Sequence, residues 1–305
     1  MENNLEKSIL ETVAYFDIFD YPLTVVELWK WLYQSGRGEE RSDISEILDI
    51  LENSVRINSL VGSRRGFYFL RGREAIVELR QARYNLAEKK FRRALRVGFF
   101  LKRLPGIKMI AVCNSLAWSN AGEESDIDLF IVTKKGKIWT TRFWAAGLLK
   151  IFGLRPSEKT TKNKICLSFF ADEENLNFEK ISLGQPDIYL IHWIAQIAPI
   201  YDAGGIYQKF LEANSWIKKY LPNYFGVEPS RRRRLGRPKL ALNFFGWGER
   251  LFRRIQLRAM PAKLREMANI DSRVIVNDSM LKFHANDRRV EYRDKWAKQV
   301  SKLAI

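Results

Sequence analysis

The chain has 305 residues, of which 46% are hydrophobic and 29% charged, and its formal net charge is +17. That length and composition allow two domains with a sizeable core, and the lack of any run of about 18 apolar residues argues against a membrane-spanning helix. The opening MENNLEKSILETVAYF is mixed and acidic, unlike a secretory leader. The two cysteines, Cys113 and Cys166, fall in expected strands and read as reduced core residues, so a cytoplasmic location is expected. The charge is segregated: net −7 over residues 1–60, +11 over 61–110, zero over 111–200 and +13 over 201–305. Such a bipolar chain suggests an anionic partner for its basic segments, with RNA or DNA the expected polyanion.

Residues 5–19 place Leu5, Ile9, Val13 and Phe16 at helical spacing, and Asp20-Tyr21-Pro22 stops that helix. Thr24 with Glu27 three residues on reads as a capping box for a second helix, running to about Tyr33. Ser42 or Asp43 opens a third, with Ile44, Ile47, Leu48 and Leu51 on one face. Residues 59–70 read as two short strands around a Gly-bounded basic turn. Three helices followed by a hairpin is the order of a winged helix, a resemblance of fold over about 70 residues. The third helix carries Asp43, Glu46, Asp49 and Glu52 and no basic residue before Arg56, which opposes insertion into a DNA groove. A protein-contact or substrate-presenting role is favoured for this domain. Residues 73–103 form one long helical pattern rich in Arg and Lys, among them Arg80, Arg83 and Lys90. It reads equally as a solvated face and as a basic ridge beside a functional site.

The stretch from Ile107 to Thr133, IKMIAVCNSLAWSNAGEESDIDLFIVT, carries the chemistry. Ile107 to Cys113 reads as a buried strand, Asn114-Ser115 breaks it, and Asp126 to Val132 resumes a strand. Alternate residues share one side of a strand, so Asp126 and Asp128 project together, roughly 6–7 Å apart at the backbone. Two such carboxylates repel unless a hard divalent cation such as Mg²⁺ sits between them. A bare D-x-D is also what a solvated strand end with two acids looks like. The small-residue turn eleven positions upstream makes the arrangement more specific. Asn114-Ser115 followed by Asp126-Ile127-Asp128 and apolar residues resembles the DNA polymerase β-like nucleotidyltransferase superfamily, whose signature is Gly-Ser, about ten residues, then Asp-x-Asp. Asn stands where the family has Gly, and Asn tolerates left-handed backbone. The resemblance implies that Ser115, with backbone N–H groups near Asn114, holds nucleotide phosphates. It implies that Asp126 and Asp128 are catalytic and bind Mg²⁺, with two ions expected and a nucleoside triphosphate as substrate.

Trp139 to Phe152 reads as a helix packed on the sheet, and Lys164 to Phe170 as the next strand. In the superfamily this later strand commonly supplies a third carboxylate. No acid lies inside it here. Ser168 is taken as the equivalent position, with Asp172 or Glu179 as acids that would complete the site from elsewhere. Residues 186–220 read as two helices, and His192 in the first as a satisfied core residue rather than a ligand. The run Ser230–Lys239 reads as an exposed linker, with phosphate or nucleic-acid contact the alternative. Residues 241–258 put Phe244, Trp247, Leu251 and Ile255 on one helical face, for which core packing is the default and membrane-surface adsorption the weaker alternative. A short strand at Val274–Val276 and a helix near Arg288–Leu303 end the chain.

The expected fold is α+β: a winged-helix-like domain (1–72), a linking helix (73–104), a small mixed-sheet nucleotidyltransferase core (105–184) and a helical C-terminal region (185–305). The expected function is metal-dependent transfer of a nucleoside monophosphate from an NTP to an acceptor hydroxyl. The alternative is a catalytically weak nucleotide-sensing or nucleic-acid-binding module on the same fold.

Overall fold

A computed structural model describes residues 4–34, 41–157, 160–184, 186–238 and 248–303. Helix α1 (Asn4–Asp17) buries Ile9, Val13 and Phe16, as its period requires. Strand β1 (Leu23–Thr24) leads into α2 (Val25–Lys30). The Thr24–Glu27 capping box is present: Glu27 N–H donates to Thr24 Oγ1 at 3.3 Å and Thr24 N–H to Glu27 Oε2 at 2.9 Å. Helix α3 (Ile44–Asn53) starts from a second box, Asp43 with Glu46. Ser54 then takes extended backbone, and its Oγ accepts from Ile57 N–H at 3.1 Å. That starts a separate helix, α4 (Val55–Leu60), where the sequence pattern gave no break before the hairpin. Strands β2 (Val61–Arg64) and β3 (Phe67–Leu70) turn through Arg65 and Gly66, both at positive φ, and the small sheet has the order β1-β3-β2.

Helix α5 (Ile76–Leu101) leads to β4 (Ile107–Val112), α6 (Asn114–Ala117), β5 (Ile127–Thr133), α7 (Ile138–Ile151) and β6 (Ile165–Asp172). Then come α8 (Ile188–Gln196), β7 (Ala198–Asp202), α9 (Ile206–Ala213), α10 (Glu249–Arg258), α11 (Ala262–Met267), β8 (Val274–Val276), β9 (Met280–Phe283) and α12 (Arg289–Lys302). The main sheet has the order β7-β4-β5-β6-β9-β8, with β5 and β6 parallel and the other neighbours antiparallel. The fold is therefore α+β around a mixed sheet. Residues 185–305 are not only helical, because β7, β8 and β9 all join that sheet. Strand β7 lies inside the stretch 186–220 expected to be two helices and contains Pro199, and β9 is short and carries Lys282. Both become strands because partners distant in sequence supply the pairing.

Alternate strand residues divide between two faces. Ile110, Val112, Leu129, Ile131 and Leu167 pack with α5 and α7. Met109, Ala111, Phe130, Val132 and Phe169 pack with α1, α8 and α9 in one continuous core. Helix α12 returns to α1, where Trp296 Nε1–H donates to the Glu11 carbonyl at 3.0 Å. Helix α10 packs on α7 through Phe252, whose ring stacks on Phe143 at 4.3 Å. Its Glu249 accepts from the Trp139 and Thr140 N–H groups at 2.8 and 2.9 Å, satisfying the first turn of α7. Leu251 and Ile255 are 56% and 41% exposed, so that face is not core, while Phe244 and Trp247 lie outside the described residues.

Part of the segregated charge is matched inside the chain. Arg80 of α5 grips Glu27 with two bonds of 2.7 and 2.8 Å, and Arg73 pairs with Asp17 at 2.9 Å and with Asp20. Burial alone would raise the Glu27 acid, but Arg80 and the Thr24 and Tyr21 hydrogen bonds hold it below its usual value.

Candidate functional site

Asp126 and Asp128 stand at the start of β5, on the face toward α1 and α8. Asp128 is in register with Cys166 on β6. The donor atoms of Asp126, Asp128 and Cys166 all lie within 4.8 Å of one another. Burial, and then the Asp126 carboxylate, push the Asp128 acid up to about 7, against hydrogen bonds from Asn114 and Cys166 that lower it. Burial also raises Asp126, opposed by a backbone hydrogen bond and by Lys90. Two carboxylates thus share a site whose negative charge the protein leaves incompletely compensated.

Asn114 is at φ 55, in the left-handed region. Its side chain is fully used: Oδ1 accepts from Trp193 Nε1–H at 2.9 Å, and the other end bonds Asp128. Asn114 therefore positions a carboxylate as well as making the turn. Ser115 is half-buried beside it and lines the adjacent cavity.

Lys90 of α5 is 1% exposed. Its Nζ donates to the Glu123 and Ser125 carbonyls at 3.1 and 2.6 Å and to Asn163 Oδ1 at 2.9 Å. It ties down the loop that delivers Asp126. Lys90 is thus neither a solvated charge nor an open basic ridge, and Arg80 is an internal cross-link.

The third position differs from the expectation. Phe130 pairs with Phe169, so β6 carries one extra residue between Cys166 and Phe169, and Ser168 falls in that irregularity. Its Oγ lies 2.9 Å from His284 Nε2. Cys166, not Ser168, is the residue beside Asp128, and it is half-buried rather than core. Its thiol is pushed up by burial and then by Asp128. Cys113 is buried, as expected. Asp172 pairs with Thr133, five residues beyond Asp128 and roughly 16 Å along the strand. Its carboxylate accepts from Glu174 N–H and Asn175 Nδ2–H at 2.9 and 2.8 Å. Glu179 is exposed in a short 3₁₀ turn. His192 is core, stacked on Tyr15 at 4.1 Å, but neither ring nitrogen has a partner among the described residues, and burial holds it down to about 3.

Two cavities meet at Asn114. One, of about 200 Å³, has Ser115 and aromatic side chains in its wall. The other, of about 170 Å³, is faced by Lys282, His284, Arg288 and Arg289. Behind it Arg289 pairs with Asp187 and Asp287 at 3.0 and 2.9 Å, and Lys282 with Asp287 at 3.2 Å, a buried network that ties α8 to α12. No sequence motif pointed to these residues, since residues 282–289 meet Asp187 only in the fold.

The donor set tests what cation fits. Asp126 and Asp128 are the oxygen ligands a hard divalent ion takes, completed by water and phosphate. A thiol is a poor ligand for Mg²⁺ and a good one for softer metals. The carboxylate pair therefore fits Mg²⁺, and Cys166 does not extend that fit. Among the described residues no helix is long and apolar enough to cross a membrane. Comparison with protein-family models, with curated proteins and with solved structures finds no match for this chain.

Proposed function

We propose that this chain is a nucleotidyltransferase of the DNA polymerase β-like type, transferring a nucleoside monophosphate from an NTP to an acceptor hydroxyl. The single observation that carries the reading is the convergence of Asp126 and Asp128 beside the left-handed Asn114-Ser115 turn, whose Asn114 bonds Asp128 and lines two adjoining cavities. Asp126 and Asp128 would hold Mg²⁺, which when bound neutralises charge developing on the triphosphate. Asn114 fixes the Asp128 carboxylate, Lys90 fixes the loop before Asp126, and Ser115, next to Asn114 where the two cavities meet, would take the phosphates. The order α1-β1-α2-α3-α4-β2-β3 supports a winged-helix-like N-terminal unit whose acidic α3 suits a protein contact. Arg231 and Arg232, beside a further cavity, keep a polyanion such as RNA among the proposed partners.

One observation favours the second reading, a nucleotide sensor with weak catalysis. Where a third carboxylate would draw the proton from the acceptor hydroxyl, β6 presents the Cys166 thiol. Loss of a general base typically costs about 10²–10⁴ in rate. Transfer of label from each α-labelled NTP to candidate acceptors tests the first reading. Calorimetric titration of NTP with and without Mg²⁺ tests both, and equal affinity in the two buffers would remove the cation site.

A further inference from the structure

The aromatic chamber beside Asn114 is made by parts of the chain that lie mostly outside the nucleotidyltransferase-like segment. Tyr15 and Phe19 come from α1 and the turn after it, Trp118 follows α6, Tyr189 and Trp193 lie on α8, and Tyr292 lies on α12. Phe19 sits 5.4 Å from Trp118 and 4.9 Å from Tyr292, and Tyr189 stacks on Tyr292 at 5.1 Å. These rings form walls against which a flat ring can stack. One polar group is left over. Gln196, 7% exposed, lines the chamber, and its Nε2 has no hydrogen-bond partner among the described residues. A buried donor without a partner is unfavourable, and an acceptor on a ligand would remove that cost.

Size narrows the occupant. At about 200 Å³ this chamber falls below the roughly 300–1,000 Å³ of sites that hold whole drug-sized ligands. It suits one ring system. Its neighbour across Asn114 adds about 170 Å³ and is lined by Lys282, Arg288 and Arg289 with one carboxylate, Asp287, which pairs with Lys282 and Arg289; three cations against one acid leave that lining net positive and suited to an anion. An aromatic chamber joined to a cationic one matches a molecule with a flat ring at one end and negative charge at the other.

We propose that the aromatic chamber is a nucleobase subsite, in which the base stacks among these rings and Gln196 Nε2–H donates to an acceptor atom on its edge. The proposal rests on the nucleotide-binding reading above and deepens it, because it makes α1 and α12 part of substrate recognition. The test is calorimetry on the full chain in Mg²⁺ with ATP, GTP, CTP and UTP, and with inorganic tripolyphosphate as the ring-free probe. Gln196→Met keeps side-chain length and removes the amide, so it should weaken the best-bound nucleotide roughly 2–10-fold and narrow the preference among the four. Phe19→Leu should weaken all four by roughly 5–100-fold, as lost stacking does. Neither change should alter tripolyphosphate binding. If Phe19→Leu fails to fold by circular dichroism, Gln196→Met decides alone. Mg²⁺-dependent nucleotide binding that neither variant disturbs would overturn the subsite and leave the proposed function standing. Loss in these variants with no effect of Asp128→Asn would keep the subsite and sink the cation site. No nucleotide binding in any buffer would overturn both.

Discussion

Replacing Asp128 with Asn probes the electrostatic strain at the site. Burial and the Asp126 carboxylate move the Asp128 acid from an ordinary 3.8 to about 7. The folded chain thus keeps a proton that the unfolded chain has released. Stability from this group is fully present below about pH 4 and is lost as pH rises through about 7. A displacement of that size corresponds to at most roughly 4 kcal/mol, at about 1.36 kcal/mol per pH unit. Water around the half-buried pair raises the local dielectric, and roughly 2 kcal/mol is the expected net cost. Asp128→Asn carries no charge and escapes it. Near pH 8 in a chelator the variant should therefore be about 2 kcal/mol more stable than wild type, or roughly 3 °C higher in Tm. Near pH 4 the two should coincide. His192 and His284, both held down to about 3 by burial, act in the opposite sense and lose stability as pH falls below roughly 6.5. They are present in both proteins and cancel in the difference. Mg²⁺ should then stabilise wild type and not the variant, because only wild type keeps both ligands. Thermal and urea unfolding across pH, with and without Mg²⁺, measures this. Equal midpoints for the two proteins near pH 8 in chelator would refute the argument.

Lys90→Met strips the bonds to Glu123, Ser125 and Asn163, and should cost about 3 kcal/mol by urea unfolding while also weakening Mg²⁺-dependent nucleotide binding. Cys166→Asp would set a third carboxylate in register with Asp128; single-turnover transfer should rise in Mg²⁺, and the metal-free protein should lose stability above about pH 7. Ser168→Asp, bonded toward His284 instead, should raise transfer less, and the reverse ranking would contradict the strand register. Gly106→Ala should destabilise by about 1–3 kcal/mol, because Gly106 has φ +84 and a Cβ there would meet Thr141 Oγ1 at 2.7 Å. Filter binding at two salt concentrations checks the polyanion: Arg231→Ala with Arg232→Ala should lower RNA retention at low salt, and retention unchanged in the double variant would remove that surface from consideration.

Local sequence determined a good deal here. The Thr24–Glu27 capping box, the Arg65-Gly66 hairpin, the long helix α5 and the left-handed Asn114 all follow from residue types within a few positions of one another. So does the shared direction of Asp126 and Asp128, since alternation along one strand needs no partner. Tertiary structure decided the rest. Strands β7 and β9 exist as strands because β4 and β6 pair with them across long stretches of chain. Cys166 rather than Ser168 reaches the carboxylates because one extra residue in β6 shifts the register, and an irregularity of that kind leaves no mark in periodicity. The basic residues of 73–103 read equally as a solvated face and as a ridge beside a site until the fold brought Glu27 to Arg80, and Asp17 and Asp20 to Arg73. The aromatic chamber joins residue 15 to residue 292, and the Gln196 amide nitrogen, buried among those contacts, has no partner among the described residues. Spacing along the chain encodes direction and capping, whereas register between strands and the meeting of distant side chains depend on packing, which sets what each buried group can touch.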